Sequence, residues 1–138
     1  MLRELCHNRV LWTGLSGWLA AQLIKTLWQM WKERRITFSR LVGSGGMPSS
    51  HTSLVMSMSV MTGRVAGFDS VLFAIAMCLS LIVMYDACNV RQEAGNHARL
   101  LNRLHNADLK ESLGHTGREV LAGAVLGVLI GLVIPIAK

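Results

Sequence analysis

The chain reads as all-α, an integral membrane bundle of four transmembrane helices, and three observations predict that class. Hydrophobic residues make up 51% of its 138 residues and charged residues only 16%. The apolar residues gather in three long runs, each near the roughly 20 residues needed to cross a bilayer. A fourth, weaker run is apolar but studded with Ser, Thr and Met, which suits a span buried among other helices. The whole forms a single membrane domain, 1–138, too short for two ordinary domains.

The first span covers 11–31. It is longer than a usual signal core, carries Gln22 and Lys25, and no convincing small-residue cleavage site follows it, so it is expected to stay in the mature protein. The second, 51–66, is the hydroxyl-rich one, and the third, 70–87, is the most uniformly apolar. The fourth, 119–137, carries Gly123, Gly127 and Gly131 at every fourth position, a smooth stripe for close helix approach. Its partner is either a helix of the same chain or a second copy, which would make a homo-oligomer.

Four spans place the loops 32–50 and 89–117 on one side, with both termini and the turn near Gly67 on the other. The first side holds Lys32, Arg34, Arg35, Arg40, Arg91, Arg99, Arg103 and Lys110, against Arg3, Arg9, Arg64 and Lys138 opposite. The positive-inside rule puts the first side in the cytoplasm, and the expected location is a bacterial cytoplasmic membrane. A net charge of +6 suggests nucleic acid in a soluble protein, but these cations flank apolar spans, where they meet lipid headgroups. Membrane lipids, not nucleic acid, are the expected partners. Cys6, Cys78 and Cys88 are odd in number and lack metal-ligand spacing, so they read as small buried or interfacial thiols.

Two motifs share the cationic side. Gly45-Gly46-Met47-Pro48-Ser49-Ser50-His51 sets a glycine turn, a proline and two hydroxyls before an apolar run. Ser49 or Ser50 can cap a helix whose free amides attract an anion, Gly43, Gly45 and Gly46 let backbone approach it, and His51 lies one turn inside the helix. The same residues also read as ordinary loop punctuation. The second motif, Gly114-His115-Thr116-Gly117-Arg118-Glu119, leads into Val120-Leu121-Ala122-Gly123. His115 and Glu119 lie four apart, so on a helix the carboxylate holds one imidazole nitrogen and leaves the other to attack or take a proton. Lys25 either aims its ammonium at a phosphate or snorkels to the interface. Arg91 either grips phosphate oxygens, oriented by Asp86, or forms a helix-end salt bridge with it. His7, His97 and His105 read as surface residues.

With these residues in order, the chain resembles the divergent branch of the type 2 phosphatidic acid phosphatase superfamily, whose fold is shared with vanadium-dependent haloperoxidases. The likeness runs from about residue 22 to 131. Pro48-Ser49-Ser50-His51 matches a Pro-Ser-Gly-His motif with Ser for Gly, and His115 with Glu119 matches His-x-x-x-Asp with Glu for Asp. Asp86, Val90-Arg91, Ala94-Gly95 and Leu101-Asn102 match the divergent branch itself. Two arginines of the superfamily are missing: Lys32-Glu33 stands where Arg-Pro would follow Lys25, and Ala107-Asp108-Leu109-Lys110 replaces a Ser-Arg. Arg91 is the natural substitute for one, with Arg118 or Arg40 for the other.

The resemblance implies a lipid phosphate phosphatase using no metal or other cofactor. His115, held by Glu119, would attack phosphorus to form a phosphohistidine, and His51 would protonate the leaving oxygen and later help activate water. Lys25, Arg91, Ser49, Ser50 and the amides near Gly46 would stabilise the equatorial oxygens, with Asp86 in support. Phosphatidic acid, phosphatidylglycerol phosphate and polyprenyl pyrophosphate are candidate substrates. Two alternatives stay open. One has His51, Asp86, His115 and Glu119 hold a divalent metal for hydrolysis. The other is a non-catalytic four-span transporter or assembly subunit.

Overall fold

The computed structural model describes residues 2–33, 46–105 and 107–136. Among these, six helices and no strand occur: α1 (Leu2–His7), α2 (Arg9–Glu33), α3 (Ser50–Ala66), α4 (Val71–Cys88), α5 (Val90–His105) and α6 (Gly117–Val133). Asn8 starts α2 by accepting from the Leu11 amide at 3.0 Å. Ser70 caps α4 in the same way, taking the Phe73 amide at 3.2 Å.

α3 is the central helix, packed against α2, α4 and α6. Its neighbours are matched to it by small residues and hydroxyls. Ser53 and Ser57 donate to the carbonyls of Gly17 and Thr13 on α2 at 2.9 and 3.2 Å, which sets α2 antiparallel to α3. Ser59 and Ser80 share a 2.8 Å hydrogen bond that sets α4 antiparallel on another side. α6 runs parallel to α3, with Gly123 against Ser49, Gly127 against Ser53 and Met56, and Gly131 against Val60. The glycine stripe is therefore occupied by α3 of the same chain, and a second copy would need another face.

The layering is the reverse of a water-soluble bundle. Ser49, Ser50, Thr52, Ser53, Ser57, Ser59 and Ser80 are buried, while Leu19, Leu23, Leu72, Ile75, Leu79, Ile82, Leu121, Val125 and Leu129 face outward. Soluble monomers rarely expose so continuous an apolar surface.

Several expected boundaries move. Residues 90–105, placed in a loop by the sequence reading, form α5. The last helix ends at Val133 rather than running to 137, because Pro135 forces Ile134 into an extended conformation, φ −63° and ψ 125°. Residue 137 itself lies outside the described residues. Only the stretch Val71–His105 is, among the described residues, long and apolar enough to cross a membrane by length and composition. α2 has the length, 25 residues, but dilutes its apolar content with Gln22 and Lys25; α3 and α6 have 17 residues each. Cys6 and Cys78 lie on the outer surface and Cys88 is half-buried, all three as free thiols.

Candidate active site

The end of the bundle where α3 and α6 begin and α2 and α4 finish collects the polar side chains. Ser49 is the N-cap of α3: its Oγ accepts from the Thr52 amide at 3.4 Å and from the Thr52 hydroxyl at 2.9 Å. Its oxygen is committed to the cap and the residue is fully buried, so of the two serines it is Ser50 that stands beside a cation. His51 is the second residue of α3 and exposed, in the first turn rather than one turn inside.

α6 begins on a reciprocal cap. The Thr116 hydroxyl takes the Glu119 amide at 3.4 Å, while Glu119 Oε2 takes the Thr116 amide at 2.9 Å. The same Oε2 lies 3.3 Å from His115 Nδ1. The Ser49 amide then donates to the Glu119 carbonyl at 2.9 Å, tying the starts of α3 and α6 together. Two helix N-termini, each with the positive end of its dipole, therefore converge on one place.

His115 sits just before α6, in a segment held from outside. Its amide donates to the Ala87 carbonyl at the end of α4 at 3.0 Å. Upstream, Asn102 of α5 pairs with both backbone groups of Leu109 at 2.9 Å and donates to Glu111 Oε1 at 2.9 Å. Arg99 reaches Glu111 Oε2 at 3.3 Å, and the Asn102 hydrogen bond, with Arg99, holds the Glu111 carboxyl below its usual range. Gly95 and Gly114 allow the close approach: a Cβ on Gly95 would meet the Glu111 carbonyl, and one on Gly114 the Gln92 backbone.

The cations complete the cluster. Lys25, 9% exposed, turns inward and donates to Ser50 Oγ at 3.4 Å instead of snorkelling outward. Asp86 pairs with Arg91 Nε, so the helix-end salt bridge is present and Arg91's terminal amino groups remain outside it. Lys25, Arg91 and His115 all act electrostatically on His51, and Lys25 and Arg91 act on His115. His115 is 4% exposed. Burial pushes its imidazole below the ordinary 6.5, Glu119 opposes that through its hydrogen bond, and Lys25 adds to it. At neutral pH the ring is uncharged; with Nδ1–H given to Glu119, Nε2 carries the available lone pair.

His51, His115, Glu119, Lys25, Ser50 and Arg91 are thus gathered at one end, with Asp86 behind Arg91. Gly46 has φ +87° and nothing within 4 Å of a built Cβ, so glycine there answers to backbone conformation. Gly43, Gly45 and Arg40 lie outside the described residues. Arg118 is exposed on the first turn of α6. No three His, Cys, Asp or Glu side chains among the described residues form a ligand set for a metal, and the Asp86 carboxylate is taken by Arg91. Sequence reasoning missed the roles of Thr116, Asn102, Gly95 and Gly114. The Thr-x-x-Glu spacing of a capping box was the legible signal for the first; a polar side chain that staples a loop leaves no local pattern.

The family described as "Divergent PAP2 family" matches residues 6–130. The uncharacterized membrane protein YuiD of Bacillus subtilis is 34% identical, over 95% of this chain and 96% of that protein. No solved structure matches.

Proposed function

Because the chain belongs to the divergent PAP2 family, we propose that it is an integral membrane phosphatase. Its substrate would be a lipid phosphate or pyrophosphate monoester, hydrolysed through a phosphohistidine. The observation that carries this reading is the meeting of His115, oriented by Glu119, with His51, Lys25 and Arg91 where two helix N-termini converge.

His115 Nε2 attacks the terminal phosphorus, forming an N–P bond as the P–O bond to the leaving oxygen breaks, the lipid oxygen of a monophosphate or the bridging oxygen of a pyrophosphate. The leaving oxygen takes a proton from His51, whose imidazolium is stabilised by the bound phosphate anion against the neighbouring Lys25 and Arg91. Water then attacks the phosphohistidine, neutral His51 takes the water's proton, and the N–P electrons return to His115. Lys25, the Ser50 hydroxyl, the terminal amino groups of Arg91 and the first amides of α3 face the charge on the equatorial oxygens. Every group in this scheme is a side chain or amide of the chain itself.

The membrane half of the proposal rests on the inverted layering and on the relative's description as a membrane protein. In lipid, α2, α3, α4 and α6 would all span: 17 helical residues rise about 26 Å, close to the hydrocarbon thickness once flanking residues are added. The site then lies at headgroup depth, on the cytoplasmic side by its excess of cations, where a lipid presents its phosphate and keeps its tail in the bilayer. Phosphatidic acid, phosphatidylglycerol phosphate and polyprenyl pyrophosphate all fit that description.

The test is phosphate release by the purified, detergent-solubilised chain from a panel of lipid phosphates, beside His115→Ala and His51→Ala. Wild type is expected to hydrolyse one class, to be inhibited by vanadate, which copies five-coordinate phosphorus, and to keep its rate in chelator. His115→Ala is expected to lose at least about a thousandfold in rate. Equal rates in wild type and both variants would end the catalytic assignment, and abolition by chelator would move the chemistry to a metal.

A further inference from the structure

α5 docks on its own protein through its small residues, Gly95 and Ala98, with half-buried Asn102 beside them. Gln92, Gly95, Arg99 and Asn102 share the face that meets the segment 107–114, through the Gly95 and Gly114 contacts and the Asn102 and Arg99 bonds to Leu109 and Glu111. At the α-helical period the opposite face carries Val90, Ala94, His97, Leu101 and Leu104, with Leu100 and Glu93 toward one edge. Val90, Leu100, Leu101 and Leu104 are 61, 56, 42 and 65% exposed. A helix that docks by its small residues and leaves a stripe of leucines outside needs an apolar medium on that outer side.

Position says which medium. α5 follows α4 after the single residue Asn89, so its stripe starts where the most apolar helix ends. The aromatic residues at this end, Trp28 and Trp31 in ring contact on α2 and exposed Tyr85 on α4, are the types that settle at the headgroup level. Arg103, exposed on α5, and exposed Lys110 are the headgroup-seeking cations here, while Arg99 is engaged with Glu111 on the other face.

The geometry points to α5 as an interfacial helix that seats the site on an anionic lipid surface, its Val90–Leu101–Leu104 stripe in the acyl boundary and its basic residues at the phosphates. Through the Asn102 and Gly95 contacts, this seat would fix the depth of the segment that leads to His115. The inference rests on the membrane half of the proposed function and not on its catalytic half.

Site-directed spin labels test it without reference to catalysis. Cys6, Cys78 and Cys88 are first replaced by Ser, and the otherwise intact chain carries one label from Leu101→Cys, Leu104→Cys, Asn96→Cys or, as a reference on α4, Leu79→Cys. The probe surface is vesicles of phosphatidylcholine mixed with phosphatidylglycerol. Collision with oxygen relative to a water-soluble nickel chelate should be several-fold greater at 101 and 104 than at 96. It should fall at 104 when phosphatidylglycerol is omitted. Nickel access at 101 and 104 equal to that at 96, with Leu79 sheltered, overturns the interfacial seat alone; nickel access at 79 as well overturns the membrane reading with it. Shelter of 101 and 104 from both reagents means that a second copy or another protein covers the stripe, and indifference to phosphatidylglycerol removes the anionic surface; either result refutes the proposal.

Discussion

The two ends of the bundle use arginine in opposite ways. At the turn end, Arg64 donates to the carbonyls of Gly131 and Ile134 at 2.6 and 2.7 Å, and Arg9 to that of Pro135 at 3.2 Å. These guanidiniums close the C-terminal end of α6, whose last carbonyls have no partner in the helix. At the other end, Arg91 pairs through Nε with Asp86, and Lys25 donates to the Ser50 hydroxyl. Cations bound to carbonyls serve the fold; those beside two histidines and two helix starts are the ones that the proposed function assigns to an anion.

Truncating each arginine in turn has the largest expected effect on that contrast. Arg91→Ala is expected to leave folding intact and reduce phosphate release about 10²–10³-fold, the scale for losing one preorganised contact to transition-state charge. Arg64→Ala should cost about 1–3 kcal/mol of stability by stranding carbonyls, while activity per folded molecule stays unchanged. Turnover in detergent, normalised to folded protein by thermal unfolding, reads both. Equal activity losses would mean that the two ends do not differ in kind.

The seam joining the ends comes next. A Cβ on Gly127 would lie 2.6 Å from the Ser53 carbonyl and 2.8 Å from Met56 Cβ, so Gly127→Val must push α6 away from α3. The expected cost is about 1–3 kcal/mol, read as a lower unfolding temperature. Because the Ser49 amide and Glu119 carbonyl bond couples this seam to the site, turnover should fall with it. Gly117→Ala, where nothing lies within 4 Å of a built Cβ, is the matched control.

Asn102 separates the loop clamp from the chemistry. Asn102→Ala removes the hydrogen bonds that fold the segment after α5, and a displacement of His115 worth about 1.4 kcal/mol lowers kcat about tenfold. Asn102→Asp keeps the acceptor for the Leu109 amide but sets a carboxylate against Glu111 and the Leu109 carbonyl, so it should recover nothing. A substrate-contact role would instead appear in KM with kcat preserved.

What was legible in the sequence follows from range. Apolar runs announced the four long helices, and His-x-x-x-Glu announced the His115–Glu119 pair, because both are patterns within a few residues. Ser49 illustrates the limit: its type said cap or phosphate ligand, and only the buried geometry with Thr52 chose the cap. α5 keeps a clear amphipathic period, Val90, Leu101 and Leu104 opposite Gln92, Arg99 and Asn102, but it is too polar on average to show up among apolar runs. Lys25 was ambiguous because snorkelling and pointing inward leave the same letter in the sequence; the partner that decides, Ser50, lies on another helix.

The smallest expected effect concerns protons at the site end. Attack needs neutral His115, and burial already places its pKa below 6.5, so the acid limb of kcat/KM should fall below that pH. Glu119 is the group that raises the His115 pKa, by hydrogen bond and by charge. Glu119→Gln should therefore move the limb further toward acid while lowering the plateau through lost ring orientation. An opposite shift, toward higher pH, would mean that the limb reports another group and that His115 is not the base whose lone pair attacks. At the turn end, Arg64→Ala should leave the limb where it was, since the groups acting on His115 are Glu119, Lys25 and Arg91.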